Sequence, residues 1–179
     1  MSVWRSARAG LGQSPSLQWT IPTTCHELVI SPALSAVLPA PWRAAPGCVE
    51  RFGSVGIAMH FAPARWLLLD VAAPSVDAAL AAGAQSFDVT GKWQTLTWPG
   101  PEGARWLSAA LDLPSILRGR ACAATSLFDA PAIVAIVPTT SEYQIVVAAS
   151  YTASISSSLR LMALAAGSSS LDSPKNPPL

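Results

Sequence analysis

Two histidines and three cysteines are the residues of this 179-residue chain with the most chemical potential. Cys25 directly precedes His26, residue types that in a thiol enzyme form a thiolate–imidazolium couple. Neighbours on an extended segment point to opposite faces, so the couple is not expected here. His60 stands between Met59 and Phe61 in an alternating run and reads as a packed or surface strand residue. Cys25, His26, Cys48 and Cys122 lack the close ligand pairs, about two to four residues apart, of structural zinc sites. The stretch GRACAAT (119–125) is not followed by Gly-Lys-Ser/Thr, so it is no phosphate loop. The expectation is a chain with no catalytic, cofactor-binding or metal-binding residue of its own.

The segment DVTGKWQTLTWPGPEG (88–103) is the most heavily punctuated in the sequence. Asp88 could be a pocket carboxylate, but Asp-x-Thr usually caps a turn, its side chain bonding Thr90 or nearby backbone; that reading is preferred. Gly100 and Pro101 end a strand, and Pro101 suits a helix's first turn, where a missing N–H costs nothing. Glu102 then sits at the positive end of the helix dipole. Asp88, Thr90, Trp93, Gly100 and Pro101 thus form a structural motif. Of the seven tryptophans, Trp66 and Trp93 are assigned to the core. Trp98 and Trp106 point away from the apolar faces and are expected at an interface.

Positioning these residues requires a string of short elements. A strand is expected over 28–31, followed by helix-breaking prolines. GIAMHFAP and RWLLLD read as paired strands, and PSVDAALAAG as a helix capped by Ser75 and stopped by Gly83. Residues 87–97 alternate as one strand, and Ala104, Leu107 and Leu111 mark the next helix. ACAATSLF, AIVAIVP and EYQIVVAA are three further strands, rich in β-branched residues. A last helix is expected from about Tyr151 to Ala165; burying Ile155, Leu159 and Met162 is worth roughly 5 to 9 kcal/mol gross. The order β-β-α-β-α-β-β-β-α predicts an α+β domain, a mainly antiparallel sheet with helices packed on one face. Residues 1–22 and 166–179, rich in Ser, Pro and Gly, are expected to be flexible, leaving one domain over 23–165.

Composition narrows the class further. Apolar residues are 51% and charged residues 12%, half the usual share. No run approaches about 18 uninterrupted apolar residues, so no membrane span is expected. With no apolar leader region and an odd number of cysteines without CxxC, the expectation is cytoplasmic. A net charge of +1 without a basic run argues against nucleic-acid binding. Scarce charge in a soluble chain points to a flank covered by another protein, or to an alanine-rich composition alone.

The order of these pieces resembles a known family. An apolar strand, then Pro63, Trp66-Leu67-Leu68; Asp88-x-Thr90, Trp93, Gly100-Pro101 and Leu107; ALDL (110–113), ACAATSLF and EYQIVVAASYTASISSSL are together similar to the gamma subunit of heterotetrameric sarcosine oxidase, across roughly residues 55 to 165. That family is related to the folate-binding domain of the glycine-cleavage aminomethyltransferase, whose fold the resemblance implies. It also implies an accessory subunit, itself non-catalytic, in a complex that oxidatively demethylates sarcosine to glycine. FAD, FMN, NAD, zinc and tetrahydrofolate would lie on other subunits, and alpha, beta and delta subunits would be its partners. Alternatives are a free-standing folate-binding or one-carbon-transfer protein, an accessory subunit of a related N-methyl amine demethylase, and a structural module of unknown partner. The Gly-Gly-x-x-Asp-Asp and Lys-Gly-Cys-Tyr stretches of folate-handling relatives are absent.

Overall fold

The computed structural model describes residues 17–34 and 36–168. The expected flexible ends therefore fall, for 1–16 and 169–179, outside the described residues. The chain is α+β and its strand pairing is antiparallel throughout. In chain order the strands are β1 (Trp19–Thr20), β2 (Cys25–Val29), β3 (Val49–Phe52), β4 (Gly56–Ala62), β5 (Arg65–Leu69), β6 (Gln85–Asp88), β7 (Trp93–Trp98), β8 (Cys122–Leu127), β9 (Ala130–Val137) and β10 (Glu142–Ala148). Helix α1 (Pro74–Ala81) follows β5, α2 (Gly100–Ala110) and α3 (Leu113–Leu117) follow β7, and α4 (Thr152–Ser168) follows β10.

The strands form two five-stranded sheets rather than one. The first runs β1-β7-β10-β9-β8 and the second β3-β4-β5-β2-β6. Their inner faces meet through Ile57, Met59, Leu67 and Leu69 on one side and Ile133, Ala135, Val137 and Val146 on the other. Helices α2, α3 and α4 cover the outer face of the first sheet, burying Trp106, Leu107, Leu117, Ile155 and Leu159. Helix α1 and the irregular segment 30–47 cover the second, over Leu28, Ala58, Trp66 and Leu68. The helices do sit on one face of each sheet, as expected; the other face of each belongs to the partner sheet. Central strands apolar at consecutive positions, such as Trp66–Leu69 and Ala132–Ala135, are the mark of strands buried on both sides.

The predicted single strand over 87–97 is two strands in different sheets. Asp88 Oδ1 accepts the Thr90 N–H at 2.9 Å, and Gly91 follows with φ +81. This Asx turn and left-handed glycine redirect the chain from the second sheet to the first. Thr90 Oγ1 accepts the Cys25 N–H at 2.9 Å, pinning the crossing to the start of β2. Smaller corrections are local. The 28–31 strand lies earlier, at Cys25–Val29, and residues 19–20, expected to be flexible, pair with β7. Trp19 also donates its Nε1–H to Ser156 Oγ at 2.7 Å, tying β1 to α4. Helix α1 starts on Pro74 with Ala73 at its N-cap, so Ser75 makes no cap.

Trp98 and Trp106, expected at an interface, are buried by this chain itself. They are 1% and 3% exposed, in one cluster with Leu96, Leu107, Ile145 and Ile155. The side of β7 away from the inter-sheet core is itself covered by this chain. The outer face of β7 is in fact roofed by α2, whose Gly103 admits Tyr143 of β10. A Cβ at Gly103 would stand 2.7 Å from Tyr143 Cβ, so only hydrogen allows this approach.

Candidate functional site

Two concave regions flank the second sheet, and both lie where sequence reasoning expected nothing. The larger, about 520 Å³, opens between α1 and the ends of β2 and β5. His26, Asp70, Asp77 and Ser86 line it, with Val55 and Leu80 as exposed apolar rims. His26 stands opposite Asp88 across the β2–β6 ladder, and its Nδ1 lies 3.3 Å from Ser86 Oγ. A Ser, a His and an Asp therefore gather on one strand pair. The arrangement does not match a nucleophilic triad: the serine meets Nδ1, the nitrogen a triad reserves for its carboxylate, and Asp88 is already engaged by Thr90. The Thr90 N–H, with its hydroxyl and His26 behind it, holds the Asp88 carboxyl below its ordinary range. Asp70 is likewise occupied, accepting the Thr24 N–H at 2.9 Å. The groove is acidic and apolar-rimmed, suited to contact rather than to bond-making.

The second region, about 270 Å³, lies under the segment 30–46. His60 stacks on Trp66 with ring centroids 4.4 Å apart and an 11° interplanar angle. Trp42 meets Trp66 edge-on at 5.2 Å and stacks on Phe52. A register shift between Met59 and Ala62 marks an irregularity in the stretch that holds His60 and Phe61, a common device for re-aiming a side chain. The His60 imidazole is buried, which pushes its pKa down and favours the neutral ring.

The cysteines fall apart chemically. Cys25 and Cys122 are buried between the sheets, where loss of solvent pushes both thiols up to about 12. Cys48, half-buried, is raised to about 11 by burial and then by Glu50. Cys25 lies inside the sheet pair while His26 faces the groove, the opposite-face arrangement expected for neighbours on a strand. Among the described residues no three His, Cys, Asp or Glu side chains converge to hold a metal. No described helix is long and apolar enough to cross a membrane. Sequence reasoning missed both concavities because their walls come from distant segments. The available signal was Trp42, Trp66 and His60, three ring residues flanking a proline-rich stretch.

Two packed antiparallel sheets between helical layers define the class: an α+β domain. The fold matches a chain of the heterotetrameric sarcosine oxidase from Corynebacterium sp. U-96, solved in complex with pyrrole 2-carboxylate. The TM-score is 0.62 at 22% identity, covering 90% of this chain and 92% of that one. No family model and no curated protein matches the sequence.

Proposed function

We propose that this chain is the accessory gamma subunit of a heterotetrameric, flavin-dependent sarcosine oxidase that oxidatively demethylates sarcosine to glycine. The observation that carries the reading is the fold shared with a chain of such an oxidase, along nearly the whole of both chains. The ordered motif Asp88-x-Thr90, Trp93, Gly100-Pro101 supports it, since the structure gives each part a scaffolding task at the sheet crossing and at the start of α2. In this reading FAD, FMN, NAD, zinc and tetrahydrofolate are carried by the alpha, beta and delta subunits. The chain's own contribution is a rigid body with contact surfaces. Those left open include the groove rim at Val55 and Leu80, the β6 edge at Phe87, and Leu161 and Leu164 on α4.

Co-expression with candidate flavin-bearing subunits tests the proposal. The expected outcome is co-purification, with sarcosine turnover that collapses when this chain is omitted. If the other subunits assemble and oxidise sarcosine fully without it, the reading fails. Faster turnover of a different N-methyl amine by the intact complex would instead reassign the substrate.

A further inference from the structure

We propose that β6 is a docking edge for an extended segment of another protein chain, one that alternates arginine or lysine with apolar residues and pairs antiparallel with it. That the segment belongs to a neighbouring subunit rests on the accessory-subunit reading; the edge and its chemistry do not. The main chain supplies the first observation. The Val89 N–H donates to the Cys25 carbonyl at 2.8 Å, which makes Cys25 and Val89 a hydrogen-bonded pair at the end of the β2–β6 ladder. Such pairs recur at every second residue, so Phe87 is bonded to Glu27, and Gln85 to Val29, in the same way. Ser86 and Asp88 therefore turn their N–H and C=O groups outward, at the end of the sheet, where no described residue bonds to them. All four residues of β6 are exposed. Outward donors and acceptors at this spacing are answered by an extended strand.

The second observation is what lies beside the edge. Ser86 lines the open groove of about 520 Å³, and Asp88, opposite the groove residue His26, shares its face of the strand. Val55, Val76 and Leu80 give the groove apolar walls; Asp70 and Asp77 give it carboxylates, and no Lys or Arg lines it. Asp70, Asp77 and Asp88 have no ion-pair partner among the described residues. A side chain with an apolar stem and a cationic head suits both the walls and the carboxylates. Residues directly opposite in a ladder share a face, so the incoming residues bonded to Ser86 and Asp88 are those aimed over the groove. These are the basic ones. The alternate residues fall on the other face beside Phe87, itself 50% exposed, and are apolar. A second copy of this chain is the wrong occupant, because β6 against β6 sets two acidic faces side by side.

The test uses the full chain and the end-blocked hexapeptide Thr-Arg-Val-Arg-Val-Thr, whose arginines face one side when extended and whose valines face the other. Nitrogen–proton NMR follows the main-chain amides of Ser86 and Asp88 during titration. The expected result is saturable binding that moves both amide protons downfield and slows their exchange with solvent. The charge-reversed peptide Thr-Glu-Val-Glu-Val-Thr should bind about tenfold more weakly or worse. N-methylation separates strand pairing from charge attraction alone. Methyl groups on the main-chain nitrogens of the two arginines face β6 and should abolish binding; on those of the two valines they point away and should spare it. Asp77→Asn, an exposed change on α1, should weaken the arginine peptide by about threefold. Ser86→Pro removes an outward N–H, which an edge strand tolerates, and should abolish binding. Absence of saturable binding up to about 10 mM overturns the proposal. So does equal binding of the parent and arginine-methylated peptides, or pairing of the chain with itself through Ser86 and Asp88. Co-assembly with an oxidase but no peptide binding sinks the strand docking alone; peptide binding without co-assembly sinks the subunit reading alone.

Discussion

Replacing Trp106 by alanine distinguishes a core residue from one buried by a partner. Trp106 lies on α2 with 3% exposure, packed with Leu107, Leu96, Ile145 and Ile155, all supplied by this chain. Truncating such a residue removes its transfer energy and leaves a cavity that its neighbours fill poorly, about 3–5 kcal/mol in comparable cores. For a domain of this length each kcal/mol lowers the melting temperature by about 2–4 °C, so the loss is about 6–20 °C. Trp98→Phe is the companion. The Trp98 Nε1–H is buried without a partner, so exchanging indole for phenyl sacrifices no hydrogen bond; the smaller ring leaves a partial cavity, and the cost is about 1–3 kcal/mol, below that of Trp106→Ala. Urea unfolding of the isolated chain, followed by far-ultraviolet circular dichroism, measures both. If Trp106→Ala unfolds within about 0.5 kcal/mol of the parent, the range of an ordinary surface change, the burial described here is wrong. Trp106 would then be exposed in the free chain and available to a neighbour.

Gly103→Ala places a Cβ 2.7 Å from Tyr143 Cβ and should cost about 1–3 kcal/mol of overpacking; a neutral or stabilised variant refutes the close α2–β10 approach. His60 carries a folded pKa below its ordinary value of 6.5, so the unfolded chain takes up the proton first as pH falls. The stability this lends is complete above about pH 6.5 and is lost as pH drops through 6.5 toward the folded value, levelling below it. Urea midpoints of the parent should therefore fall more steeply between about pH 7 and 5 than those of His60→Phe, and parallel curves would contradict the burial. With thiols at about 11 to 12, an aromatic disulfide reagent at neutral pH should label the native chain slowly, Cys48 first, and titrate all three cysteines on unfolding. Leu161 and Leu164 are each 66% exposed, so Leu161→Lys with Leu164→Lys should shift the isolated chain by no more than about 0.5 kcal/mol. If α4 is a contact surface in a complex, the same pair weakens assembly in a pull-down.

Much of the scaffold was legible because local signals and tertiary needs agree. RWLLLD, AIVAIVP and EYQIVVAA became β5, β9 and β10, and the Gly100-Pro101 stop became the start of α2 with Pro99 at its N-cap. The short helix α3 was read only as the ALDL signature, although Asp112 caps it by accepting the Ser115 N–H. What misled was periodicity across a chain crossing. Phe87 through Thr97 alternates without a break because the Asp88–Thr90 turn preserves it, even though the strands before and after lie in different sheets. Alternation reports which side a residue faces, not which sheet supplies that side. That ambiguity also misplaced Trp98, whose outward side is the helix-covered face. The cavities were illegible for a different reason. His60 lies some sixteen residues from the Ala44 carbonyl it binds, and no local pattern encodes that meeting.

The scarcity of charge has a cause inside the chain. Two sheets sharing an interior, each roofed by helices or a strap, stack three apolar clusters in 179 residues. Strands buried on both faces have no outward positions for Lys or Glu, so charge is displaced to helix backs and turns. A covering partner is therefore not needed to explain the composition as a whole. What it could explain is narrower: apolar side chains that the fold leaves in water although a polar residue would fit as well. Phe87 is the sharpest case. It lies on edge strand β6, opposite Glu27, whose carboxylate is paired with Arg65. Every residue of β6 is exposed, while its neighbour β2 is mostly buried. Asp88 and the shortness of β6 guard the end of this edge, but Phe87 leaves an aromatic side chain in water at its middle. The surface open to a neighbour thus lies not at the tryptophans, which the fold claims for itself, but at this edge.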